Sequence, residues 1–86
     1  MRAFHATKAL DAILTDGWVR PMRMAHTYAF TERVAAEKYA VEFGYEGVVE
    51  VEVDPAAVVG RWKPSYANGA VVLKCVGALR TVRTLD

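Results

Sequence analysis

Two histidines, one cysteine, two tryptophans and an alternating pair of glutamates are the side chains with most chemical scope in this sequence. His5 and His26 both fall at positions that read as strand, where a lone imidazole is first of all a structural residue with satisfied hydrogen bonds. Cys75 stands alone inside an apolar run and reads as a small hydrophobe. A single cysteine excludes both an internal disulfide and a cysteine-based zinc site. Glu50 and Glu52 share one face of a strand, yet a solvated strand gives neither carboxylate a reason to stay protonated. Trp18 and Trp62 could stack on a base or a nicotinamide ring, or simply cover a thin core. No glycine-rich phosphate loop, no His or Cys pair at metal spacing and no G-x-S-x-G turn is present.

The elements that would position these groups follow from local pattern. Arg2 to His5 reads as an opening strand. Thr7 is placed to cap a helix carrying Ala9, Leu10, Ile13 and Leu14, which Asp16-Gly17 ends. Trp18 to Met24, with Pro21, reads as a loop, and His26 to Phe30 as a second strand. Thr31 is placed to cap helix 32–43, whose buried stripe is Ala36, Tyr39, Ala40 and Phe43; Gly44 ends it. Val48 to Val53 alternates strictly, with Val49, Val51 and Val53 on one face. Asp54-Pro55 predicts a capped short helix to Val59. Arg61 to Gly69 reads as irregular, closed by the Asn68-Gly69 turn pair. Ala70 to Val76 is the strand expected to be most buried, and beyond Gly77 a last strand runs from Ala78 to Thr84. The expected fold is one α+β domain over residues 1–86, with a small mixed, mainly antiparallel sheet of about five strands and two helices.

Composition narrows the function classes. With 86 residues, 53% apolar and 24% charged, the chain suits a small globular domain. No apolar run reaches membrane-spanning length, and the first residues lack a signal-peptide core, so the expected location is the cytoplasm with no membrane partner. The formal net charge of +1 is unevenly distributed. The acids gather between Glu32 and Asp54; from Pro55 to Leu85 there is none, while Arg61, Lys63, Lys74, Arg80 and Arg83 fall there. No dominant basic face emerges, which argues against direct binding to nucleic acid.

One constellation stands apart. Phe4-His5-Ala6-Thr7 ends the first strand; Thr27-Tyr28-Ala29-Phe30-Thr31 forms the second and leads into Ala35-Ala36-Glu37-Lys38-Tyr39-Ala40. This resembles the ADP-ribosyltransferase fold of the diphtheria-toxin and poly-ADP-ribose-polymerase type over about residues 3–53. The resemblance implies NAD as cofactor, held by His5, Ala6, Thr7 and Tyr28. His5 would meet a ribose hydroxyl, the Ala6 backbone the carboxamide, and Tyr28 would stack on the nicotinamide ring. Ala6 stands where the family has glycine, so a Cβ narrows the approach. The family also requires a glutamate just before a late strand, a place that falls near Tyr66-Ala67-Asn68-Gly69-Ala70, where no acid occurs. Without that anion, stabilisation of the developing oxocarbenium ion is missing, a loss of several kcal/mol.

By size and type the chain also resembles small phage anti-defence proteins, anti-CRISPR proteins among them. The leading expectation is therefore a non-catalytic, monomeric inhibitor with no cofactor, working in a host bacterial cytoplasm. Its acidic residues Glu42, Glu46, Glu50, Glu52 and Asp54 would cover a basic nucleic-acid-binding surface on a protein complex. The alternatives are an NAD-dependent mono-ADP-ribosyltransferase, and a domain that holds an NAD derivative without turning it over.

Overall fold

The computed structural model describes residues 1–21, 26–67 and 69–85. Its elements are β1 (Arg2–Thr7), α1 (Leu10–Asp16), β2 (Trp18–Val19), β3 (His26–Phe30), α2 (Arg33–Glu42), β4 (Gly47–Glu52), β5 (Val58–Trp62), β6 (Val72–Val76) and β7 (Leu79–Leu85). Single 3₁₀ turns at Pro55–Ala57 and Ser65–Ala67 flank β5. One sheet holds all seven strands in the order β2-β7-β4-β1-β3-β6-β5, and its pairings are antiparallel.

Alternation decides what each face of the sheet buries. In β4, Val49 and Val51 point to one side, and Val53, just past the strand, joins them; all three have no solvent exposure. With Ala3, Ala29, Leu73, Cys75 and Leu79 they form a core that Ile13 of α1 closes. The opposite face carries Ala6, Phe30, Val48 and Val72 against Ala35, Ala36 and Ala40 of α2. Three alanines on that helix surface let it lie close to the sheet.

Two strands occupy segments where the sequence predicts none, which is why the sheet has seven strands in place of about five. β2, two residues long, sits within the expected loop Trp18–Met24, and the end of that loop lies outside the described residues. β5 replaces the second half of the expected short helix and the start of the irregular stretch. Asp54 does cap, its carboxylate accepting from Ala56 N–H at 2.9 Å, but the turn it opens ends at Ala57. Once Pro55 has supplied the turn, Val58 to Trp62 pairs with β6. A register shift between Val58 and Gly60 hides the strand's period from the sequence.

The two expected threonine caps act elsewhere. The N-cap position of α1 is Ala9; Thr7 Oγ1 accepts from Ala9 N–H at 2.9 Å, tightening the turn ahead of the helix. Glu32 holds the N-cap position of α2, while Thr31 binds Val71 through both its backbone N–H and its Oγ1. Gly17 ends α1 in the left-handed region at φ 80°, as its position before Trp18 predicts. Asn68 of the expected turn pair lies outside the described residues.

Candidate functional site

A gap between β1 and β3 creates the site. These strands share one paired position, Phe4 opposite Phe30. Continued, that register would put Ala6 opposite Tyr28, but the strands part. On the other side of β1 the ladder with β4 runs from Arg2–Glu52 to Thr7–Gly47. Its phase is set by the hydrogen bonds between Met1 and Val53. Alternation from there turns the backbone N–H and C=O of Ala6 away from β4 and toward the gap.

His5 fills part of the gap. Its Nδ1 lies 2.6 Å from the Tyr28 carbonyl oxygen, and since a carbonyl only accepts, Nδ1 carries the proton. Burial lowers the imidazole pKa below its ordinary value near 6.5, and the bond to Tyr28 opposes that only in part. At neutral pH the ring is uncharged, leaving Nε2 to accept a hydrogen bond from a ligand hydroxyl.

The resulting cavity has a volume of about 310 Å³ and is lined by His5, Ala6 and Tyr28 together with Phe30, Tyr39, Tyr45, Trp62, Tyr66 and Val72. Tyr28 and Trp62 meet edge to face, with ring centroids 6.0 Å apart. Tyr39 lies at the hub of the inner rings, 5.4 Å from Phe30, 5.4 Å from Tyr66 and 5.3 Å from Tyr45. Burial, and then its hydrogen bond with Tyr45, pushes the Tyr39 phenol up to about 12, so it stays protonated. Lys8 Nζ sits 5.0 Å from the Tyr45 ring centroid, a cation–π contact at the rim. No carboxylate lines this cavity among the described residues. Tyr66, in the segment where the resemblance calls for an acid, presents a phenol to it.

Comparison with protein-family models, with curated proteins and with solved structures gave no match. No family is therefore shown for this chain, and the site stands on its geometry alone.

Of the residues singled out from the sequence, the fold brings His5, Ala6 and Tyr28 to one cavity, with Trp62 beside them. Thr7 is not among its walls; it is buried and engaged with Ala9. Trp18 is far along the sheet, on the edge strand β2 opposite Arg80. Tyr39 is legible in the sequence only as a core-facing helix residue. Tyr45 and Tyr66 carry no local signal, because each reaches the cavity from a turn.

The five acidic residues do not gather. Glu42 ends α2, Glu46 precedes β4 and Asp54 follows it, so the set extends about 25 Å along the strand direction. Glu50 is paired with Arg83 at 2.9 Å and with Arg2 at 3.5 Å. Glu52 lies 3.3 Å from the amino group of Met1 and 3.7 Å from Arg2. The β4 carboxylates thus have cations of this chain beside them. Among the described residues no cluster of His, Cys, Asp or Glu could hold a metal, and no helix is long and apolar enough to cross a membrane.

The half-buried His5 imidazole carries a pH signature. Its folded pKa lies below the unfolded value, so the unfolded chain binds the proton more readily. Its contribution to stability is complete above about pH 6.5 and is lost as pH falls through the lowered folded value. Urea titrations between pH 7.5 and 5.5 are expected to show stability decreasing toward acid, with a shallower slope in His5→Asn, which keeps a donor for Tyr28. Equal slopes in the two proteins would mean the imidazole protonates in the folded state as easily as in water.

Proposed function

We propose that this protein is a non-catalytic binding domain whose cavity holds a nicotinamide-type ring with its ribose, as in NAD derivatives, without breaking the bond between them. The observation that carries this reading is the joining of a neutral, oriented His5 and an aromatic box around Tyr28 in a cavity that no carboxylate lines among the described residues. A pyridinium ring is a flat cation, and the faces of Tyr28 and Trp62 attract such a ring. A carboxamide needs one donor and one acceptor side by side, which the N–H and C=O of Ala6 supply. A ribose hydroxyl can donate to His5 Nε2. Cleavage would require negative charge next to the anomeric carbon, and the segment where the resemblance calls for that acid brings Tyr66 to the cavity instead. The resemblance to ADP-ribosyltransferases agrees with the binding half of such a site and not with its catalytic half. Occlusion of a basic surface by the acidic segment has less support, because Glu50 and Glu52 already lie against Arg2, Arg83 and the amino terminus.

Calorimetry with NAD and its nicotinamide-containing fragments tests the binding, and chromatography of the same mixtures tests turnover. Saturable binding is expected, with the nucleotide recovered intact after hours. Release of free nicotinamide above the buffer control would make the protein a catalyst; no heat with any of these compounds at millimolar concentration would remove the cavity from consideration.

A further inference from the structure

Going beyond that reading and not resting on it, we infer that the cavity is a cage for a trimethylammonium group on a small alcohol, of which choline is the simplest. Six aromatic residues, Tyr28, Phe30, Tyr39, Tyr45, Trp62 and Tyr66, line it. Several of their rings stand across one another. Tyr28 and Trp62 are inclined at 86°, Phe30 and Tyr66 at 86°, and Tyr39 and Tyr45 at 74°. Two neighbouring rings near a right angle make a corner bounded by two faces, and ring faces are the negative side of the aromatic quadrupole. The chain already sets a cation beside one of these rings, with Lys8 Nζ 5.0 Å from the Tyr45 centroid.

The nature of the walls decides which cation suits. With His5 neutral, the Tyr39 phenol protonated and no carboxylate in the lining among the described residues, the cavity offers no anion. A primary ammonium entering it would leave the water that satisfies its three donors and meet no counterion. A trimethylammonium group has no N–H to satisfy. Ring faces and methyl contacts hold it without a carboxylate. Lys8 is exposed at the rim, where salt screens its repulsion of a second cation.

His5 selects the hydroxyl. Its Nδ1 is engaged with the Tyr28 carbonyl oxygen at 2.6 Å, which leaves Nε2 to accept from an O–H donor. Choline carries such a donor on a short chain beside its cationic head. A volume of about 310 Å³, at the small end for ligand sites, admits both head and chain.

Titration calorimetry of the intact chain tests this with choline, with ethanolamine, and with the neutral alcohol in which a tert-butyl group replaces the trimethylammonium. Choline is expected to bind roughly fivefold or more tightly than either, as a cation–π contribution in a desolvated site requires. It should also compete with nicotinamide riboside. Trp62→Leu keeps apolar bulk but removes a ring, and should lower choline affinity while leaving that of the neutral alcohol unchanged. Trp62→Phe restores a ring and should recover most of the loss, which excludes misfolding as its cause. Equal affinities for choline and the neutral alcohol, or for choline and ethanolamine, would overturn the cage and leave the nicotinamide reading intact. Choline bound without competing with a bound riboside would lie elsewhere, which also overturns the cage. Binding of choline and of no nicotinamide compound would overturn the nucleotide reading of the cavity and uphold this one; binding of neither would overturn both.

Discussion

Replacing Tyr28 by alanine is expected to weaken binding of a nicotinamide-type ligand by roughly 5- to 30-fold and to reduce the ligand-induced rise in Tm accordingly. Tyr28 is 37% exposed at the cavity mouth, and its ring meets Trp62 edge to face. An aromatic contact or a cation–π contact with a desolvated ring is worth roughly 1–2 kcal/mol, and each 1.4 kcal/mol is a factor of ten in affinity. The fold should survive the change. His5 binds the backbone carbonyl of residue 28, not its side chain, and Ala29 and Phe30 supply the neighbouring core contacts on the two faces. Tyr28→Phe keeps the ring and should retain most of the affinity. If Tyr28→Ala binds as well as the unaltered protein, the ligand is held elsewhere and the aromatic box serves packing alone.

The second large effect concerns stability. Leu73→Ala should cost about 2–5 kcal/mol, the range for emptying a well-packed leucine site. Leu73 has no exposure, pairs with Ala29 on one side and Arg61 on the other, and belongs to the core beneath α1. The small residue opposite it cannot expand to fill the space. For a domain of this size each kcal/mol lowers Tm by roughly 4–8 °C, so the drop should exceed 8 °C. Val41 is 85% exposed on α2, and Val41→Ala should leave Tm almost unchanged. Because the cavity lies on the opposite face of the sheet, Leu73→Ala measured at low temperature should keep its ligand affinity. A loss below about 1 kcal/mol would mean that the α1 side of the sheet is loosely packed.

The parts of this molecule visible from its sequence are those that local physics decides. The alternation of Val49, Val51 and Val53 needs only the period of a strand to separate buried from solvated positions. Gly17 can take its left-handed φ because it lacks a Cβ, and Asp54 before Pro55 caps a turn whatever surrounds it. His5, Ala6 and Tyr28 are legible as a group through a resemblance in short motifs, not through any local pattern of their own.

What tertiary structure decided is everything that depends on two distant segments meeting. β2 and β5 are strands because β7 and β6 offer them unpaired edges, not because their residues insist on it. The exposed appearance of Glu50 changes once Arg2 and Arg83 arrive from neighbouring strands. The cavity exists because β1 and β3 part after a single pairing, and that parting brings rings from α2 and three turn or edge segments together. Alternation and capping act over two to four residues and so remain readable in the chain. The gap and its aromatic walls depend on register between strands far apart in the chain, which only the folded sheet sets.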